Sequence, residues 1–449
     1  MTKSQRLVLV VSILASFVAF LDSSVINVAL PAITQDLGGG LAIQQWVVDS
    51  YLITLGALIL IAGSLSDLFG RKKILSAGLV GFAITSILCA IAPTSAFLIV
   101  SRALQGIAGA LLVPSSLAMI ISAFSGKAQG KAIGTWTAWT GIAFIIGPLL
   151  GGVLVDSSSW RLIFAINIIP VAITLWFIRS LNISQEIVKG SKIDTRGAVL
   201  CTIGLGGPVY ALIEQSHYGW ASPLIYLPLI IGILALIMFI RHEAKVPQPM
   251  LPLELFKIRN FWVGNLATVA IYAGLSVAIF LIAVFVQQVG NYSALEAGLV
   301  LVPVTIIMFV LSPKFGALSG KYGPRLFMGL GPIVIGLGFL ALLRVDESVN
   351  YVSQILPAII IIGLGLSTTV APLTSAVLGS IDSKNAGIGS AVNNAVSRIA
   401  GLIAIAFLGV IIGPTVTLSG FHTGAVTMAI LLTIGGVISV IGISNAKRV

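Results

Sequence analysis

A few side chains in this sequence stand where ionisation is expensive. Asp22 and Arg102 lie inside long apolar runs, as do the amides Asn27, Gln105, Asn393 and Asn394 and a second guanidinium, Arg398. A charge at mid-membrane depth costs ~2.5–3.5 kcal/mol even on insertion scales, so such a group is either neutralised by a proton or held by a partner. An acid that alternates between those states takes up and releases a proton, and a nearby Arg changes partner as it does so. Asp22 lies ~13 Å and Arg102 ~10 Å from the outer ends of their runs at 1.5 Å per residue, so the two share a depth. They are expected to sense each other, with a static buried ion pair as the competing reading. Asp49, only ~6 Å inside its boundary, reads either as a solvated interfacial acid or as a second proton site.

The elements that must position these residues follow from composition. Of 449 residues 57% are hydrophobic and only 9% are charged, against about 25% in an ordinary soluble chain. So few charges cannot cover a water-facing surface, which excludes a soluble globular protein, a disordered chain and a nucleic-acid-binding module. What remains is an all-α polytopic membrane protein. Fourteen apolar runs follow one another, from about 7–30 to 423–443, each near the ~20 residues that cross a bilayer. They must be helices, because lipid offers backbone groups no partner and no strand alternation appears. The first run is too long for a signal-peptide core and is read as a retained span.

Basic residues set the orientation. With the N terminus inside, 21 of the 25 Lys and Arg fall in inner loops; only Arg161 and Arg344 lie outside, and Arg102 and Arg398 lie within spans. This is the positive-inside pattern, and it puts both termini in the cytoplasm of a cell whose inner membrane holds the protein. The net charge of +11 therefore describes topology and not a nucleic-acid partner. Cys89 and Cys201 read as small buried side chains, and His217, His242 and His422, at span ends or in loops, as solvated. No phosphate-binding loop, HExxH or Cys/His metal pattern occurs, so no cofactor, metal or catalytic residue is expected.

An internal repeat organises the chain. Gly63, Leu65, Ser66 and Gly70, between spans 2 and 3, recur as Gly316, Leu318, Ser319 and Gly323 at an offset of 253. A six-helix half at ~32 residues per span gives an offset near 190, and the excess of about 60 fits two additional helices between the halves. The expected plan is a six-helix bundle over 1–180, two inserted helices with linkers over 181–259, and a second six-helix bundle over 260–449.

The motifs resemble those of the major facilitator superfamily, in particular its 14-span drug:proton antiporter group. Leu21 to Pro31, with Asp22 and Asn27, is similar to that group's first-helix signature, and Gln45 to Tyr51, with Asp49, also resembles the group. Gly63, Asp67, Gly70 and Arg71 resemble the superfamily's inner-loop signature, which implies a conformational latch. Arg102-Ala-Leu-Gln105-Gly106 resembles a second signature on span 4. Gly134, Gly147, Pro148 and Gly151 resemble the span 5 signature of exporters, with Ala143 where a Gly is usual, and imply close helix packing. Gly389 to Gly401 resembles a span 13 pattern that carries Asn393, Asn394 and Arg398.

The resemblance implies two bundles rocking about a central cavity. Proton coupling would fall to Asp22, Arg102 and Asp49. The substrate cavity would take Asn27, Gln105, Trp136, Trp139, Asn393, Asn394 and Arg398. For Trp136 and Trp139 core packing is an equal reading, and for Arg398 so is a structural pairing. The implied function is proton-coupled export of small amphipathic compounds, with a dedicated exporter of one metabolite, lipid or siderophore as the alternative. The partners are then a small-molecule substrate, protons and the lipid bilayer, and nothing in the sequence calls for more than a monomer.

Overall fold

A computed structural model describes residues 1–124, 126–181, 193–381 and 386–445. It is all-α, with no strand among the described residues. Among the described residues, fourteen helical spans are long and apolar enough to cross a membrane. Spans 1 to 6 are Lys3–Leu37, Gly40–Ser66, Arg71–Ala90, Ser95–Ala123, Lys131–Ser157 and Leu162–Arg179. Spans 7 and 8 are Thr195–Tyr218 and Pro223–Glu243. Spans 9 to 14 are Arg259–Gln288, Ala294–Tyr322, Pro324–Arg344, Tyr351–Leu378, Ile388–Ile412 and Leu418–Gly442.

Local chemistry sets where several spans begin. Thr2, Thr94, Ser293 and Thr417 accept backbone N–H bonds from Gln5, Phe97, Glu296 and Gly420, capping spans 1, 4, 10 and 14. Gly70, between spans 2 and 3, has φ 91°, and Gly323, between spans 10 and 11, has φ 89°. Both occupy the positive-φ region that side chains avoid, at the two positions the 253-residue repeat aligns.

The chain divides into two compact units. The first comprises Met1–Gly39, Ile43–Pro208 and Ile230–Met250; the second comprises Gly40–Ala42, Val209–Leu229 and Leu251–Val449. In the first, span 1 packs on spans 4, 5 and 6, and span 3 packs on spans 4 and 6. In the second, span 9 packs on spans 12, 13 and 14, and span 11 packs on spans 12 and 14. The two packing patterns are the same one, displaced by eight spans. Spans 7 and 8 approach each other through Gly204 and Gly232, where a Cβ would stand 2.7 Å from Leu236 and 2.4 Å from Pro208.

Burial separates core from periphery. Spans 2 and 9 are 72% buried over their most apolar stretch and span 8 only 22%, with Leu227, Ile231, Leu234 and Met238 exposed. An all-round apolar helix this exposed is stable only against lipid.

Candidate functional site

Span 1 carries Asp22 into the interior of the first unit, with no exposed surface. Arg102 Nη1 donates to Asp22 Oδ2 at 2.6 Å. Gln105 Nε2 and Asn167 Nδ2 donate to Oδ1 at 3.1 and 2.9 Å. Arg102 and Gln105 are three residues apart on span 4 and so share a face. Asn167 sits at a break between the helical pieces Leu162–Ala165 and Ile168–Arg179 of span 6. Gln105 and Asn167 also donate to the Ser86 hydroxyl, at 2.9 and 3.4 Å.

The guanidinium has other supports. Its Nε donates to the Val47 carbonyl at 3.0 Å and its Nη1 to Gln105 Oε1 at 2.7 Å. The Tyr51 ring lies 4.3 Å from its Cζ and the Phe164 ring 5.7 Å. Desolvating two charges costs several kcal/mol each, and a pair persists when its remaining donors and acceptors are met. Here the carboxylate accepts three bonds from three residues. The guanidinium would keep Val47, Gln105 and Tyr51 if Asp22 became neutral.

Asp49 stands two residues beyond Val47 on span 2, with no exposed surface, and among the described residues neither of its carboxyl oxygens has a hydrogen-bond partner. An ionised carboxyl in that state costs several kcal/mol, whereas a protonated one removes the charge. The interfacial, solvated reading of Asp49 is therefore corrected: helix packing closes water away from it.

The second unit holds a neutral cluster. Asn393 Nδ2 of span 13 donates to Asn265 Oδ1 at 3.1 Å and to Thr268 Oγ1 at 2.9 Å, both on span 9. Asn265 donates to the Phe261 carbonyl, and neither it nor Thr268 is more than 3% exposed. Asn394 is half-buried, and its carbonyl accepts from the Ser397 hydroxyl. Arg398 is half-buried one to two turns further along span 13, and its charge acts on Tyr272 of span 9.

The chain matches the Major Facilitator Superfamily profile over residues 12–405. It belongs to that superfamily. It is 31% identical to a methylenomycin A resistance protein of Bacillus subtilis (strain 168), over 90% of this chain and 87% of that one. It is 32% identical to the puromycin resistance protein pur8 of Streptomyces alboniger, over 89% of this chain and 80% of that one. It is 30% identical to the multidrug resistance protein Stp of Mycobacterium tuberculosis (strain CDC 1551 / Oshkosh), over 91% and 76%. Its fold is similar to that of a crystallised peptide transporter, POT, in complex with sulfate, with a TM-score of 0.71 at 15% identity over 98% of this chain and 94% of that one. The protein is thus a multi-pass membrane transporter of the superfamily and not an enzyme.

The remaining motif residues divide. Gly147 and Gly151 hold span 5 against span 1: a Cβ at Gly147 would fall 1.9 Å from Ser24 Oγ, and one at Gly151 would fall 2.6 Å from Val25. The Ser24 hydroxyl donates to the Ala143 carbonyl at 3.0 Å beside them, and Pro148 lies within the same helical stretch. Gly134, grouped with these in the sequence, is a correction: its Cβ position faces open space, so it makes no close helix contact. Gly63, expected between spans 2 and 3, is a correction: it lies inside the helix Gly40–Phe69, with open space at its Cβ position, and only Gly70 makes the positive-φ turn. Arg71 opens span 3, and the side chain of Asp67 lies outside the described residues.

Three residues assigned to the cavity, Gln105, Asn27 and Trp136, are hydrogen-bonded within the first unit. Gln105 has no exposed surface and belongs to the ion-pair cluster. Asn27 is 8% exposed and bonds its own helix at the Ser23 carbonyl. Trp136 donates to the Ser16 hydroxyl at 3.0 Å and packs on Leu9, Ile120 and Phe124, while Trp139 is 55% exposed. The sequence reading omitted Asn167 and Ser86. Asn167 is the one amide inside the sixth apolar run, and that was its signal.

Proposed function

We propose that this transporter exports small amphipathic compounds in exchange for protons, its two six-helix bundles rocking by alternating access. The observation that carries this reading is the pair of buried carboxyls in one bundle: Asp22, bonded to Arg102, Gln105 and Asn167, and Asp49, whose oxygens have no hydrogen-bond partner among the described residues. Protonating Asp22 releases Arg102 to acceptors already in place at Val47 and Gln105, so one proton changes the contacts among spans 1, 2 and 4. Asp49, on the segment that carries both Val47 and Tyr51, is the second proton site. One proton crossing 100 mV supplies ~2.3 kcal/mol. At ~1.4 kcal/mol per decade that sustains roughly a 50-fold substrate gradient.

The relatives' names support antibiotics and other drugs as substrates. Arg398 beside the neutral Asn393 cluster favours neutral, zwitterionic or anionic compounds over dications. The basic-residue bias supports a cytoplasmic membrane with both termini inside. Substrate, protons and lipid are then the only partners required, and a monomer suffices.

A probable actinorhodin transporter of Streptomyces coelicolor, 30% identical, favours a second reading, a dedicated exporter of one metabolite. Proteoliposomes loaded with a panel of unrelated antibiotics and dyes, with an imposed pH gradient, test both. Gradient-dependent movement of several compounds supports the first, movement of one supports the second, and movement indifferent to the gradient rejects proton coupling.

A further inference from the structure

The two oxygens of Asp22 are not equivalent. Oδ1 accepts from two side-chain amides, Gln105 Nε2 at 3.1 Å and Asn167 Nδ2 at 2.9 Å, whereas Oδ2 accepts from Arg102 Nη1 at 2.6 Å. Each amide nitrogen also donates to one hydroxyl, Ser86 of span 3, at 2.9 Å from Gln105 and 3.4 Å from Asn167. Asp22, Ser86, Gln105 and Asn167 have no exposed surface. Gln105 is held at both ends of its amide. Its Oε1 accepts from Arg102 Nη1 at 2.7 Å and from the Cys89 thiol at 3.6 Å, so turning the amide over would set an NH2 group against both donors.

A protonated carboxyl carries its hydrogen on one oxygen and accepts on the other. A proton on Oδ1 would meet two N–H donors, and a buried donor left unmet carries its full desolvation penalty. Oδ2 meets one N–H, on a guanidinium that also has the Val47 carbonyl and Gln105 Oε1. We infer that Gln105, anchored on Ser86 and seconded by Asn167, is a positioning residue that confines the coupling proton to Oδ2, so that the proton and Arg102 compete for one atom. This rests on the reading of Asp22 as the proton-exchanging acid. A proton from the aqueous phase forms an O–H bond at Oδ2, the Nη1–H···Oδ2 hydrogen bond breaks, and Arg102 keeps its own protons and its charge. Oδ1 remains the carbonyl oxygen beneath its two amides. Proton uptake and departure of Arg102 are then one event.

The competing course is reversal of the Asn167 amide. Its Oδ1 has no hydrogen-bond partner among the described residues and would accept an O–H on Asp22 Oδ1, leaving Arg102 on Oδ2. Against this, Gln105 still donates to Asp22 Oδ1, and the Asn167 bond to Ser86 would be lost. The other titratable groups facing the pair are the Cys89 thiol of span 3 and Tyr51 of span 2, whose ring lies 4.3 Å from the guanidinium. Span 5 meets span 1 beside Asp22 through the Ala143 carbonyl and Gly147, and span 6 meets it through Asn167, none of them ionisable.

Solid-state NMR of the full-length protein in bilayers tests this. The Asp carboxyl carbons are isotope-labelled together with the side-chain nitrogens of Arg in one sample, and of Asn and Gln in another. The Asp22 signal is the one absent from Asp22→Asn. On acidification, as that signal moves to the position of a protonated carboxyl, its dipolar coupling to Arg nitrogen should be lost and its coupling to the amide nitrogens should remain. Arg coupling retained while an amide coupling is lost puts the proton on Oδ1 and overturns this inference alone. An Asp22 signal that never moves over the pH range of transport overturns the export reading as well. In Gln105→Met only Asn167, free to reverse, faces Oδ1. The protonated carboxyl should then keep its Arg coupling, and uphill export should fall more than downhill exchange. Loss of the Arg coupling in Gln105→Met, as in the wild type, overturns the role of Gln105. Should that variant fail to fold, the wild-type couplings decide.

Discussion

The two six-helix bundles share one packing scheme and differ in what they bury. In the first, spans 1, 4 and 6 meet around a charged cluster of Asp22, Arg102, Gln105 and Asn167. In the second, spans 9 and 13 meet around neutral groups, Asn265, Thr268 and Asn393. Duplication accounts for the scaffold: the same helix contacts and the same positive-φ glycine at Gly70 and Gly323. Chemistry is not duplicated, because apolar packing tolerates many polar substitutions provided each polar group is bonded. A repeated fold thus leaves one half free to bury a charged cluster and the other a neutral one.

The contrast predicts unequal costs. The largest should follow Arg102→Gln, which leaves the Asp22 carboxylate buried without its cation. Breaking a buried pair from one side costs about 3–5 kcal/mol, so thermal unfolding in detergent should fall steeply and export should cease. Rescue of stability, without rescue of export, is expected when Asp22→Asn is added. Next is Gly147→Val, which drives a branched side chain into Ser24; overpacking costs about 1–3 kcal/mol, whereas Gly134→Val should be tolerated at the same readout. The smallest is Asn393→Ala in the neutral cluster. It leaves the Asn265 oxygen without that donor, for about 1 kcal/mol, and should change substrate preference more than proton dependence. A loss as large as that of Arg102→Gln would break the comparison.

Much of the scaffold was legible in the sequence because lipid imposes long apolar runs, and the fourteen runs correspond to the fourteen helical spans found among the described residues. The common depth of Asp22 and Arg102 could be read from run lengths, since a helix converts residue number into distance. What could not be read was azimuth. Gln105 and Asn27 stand in apolar runs just as a cavity residue would, and only packing shows that they point inward to bonded partners. Asn167 reaches Asp22 across 145 residues, a contact no local pattern encodes. His242 reads as solvated in the sequence because Asp194, its partner, is 48 residues away at the start of another span. Gly134 shows the opposite error, in which a motif's spacing was legible although one member faces open space.

The account rests on the buried carboxyls of the first bundle exchanging protons for cargo. The direct test compares wild type, Asp22→Asn and Asp49→Asn in proteoliposomes, measuring both downhill substrate exchange and uphill export driven by a pH gradient. The account predicts that Asp22→Asn keeps downhill exchange and loses uphill export, with Asp49→Asn weakening the dependence on the gradient. Uphill export at the wild-type level in the Asp22→Asn, Asp49→Asn double variant would contradict it.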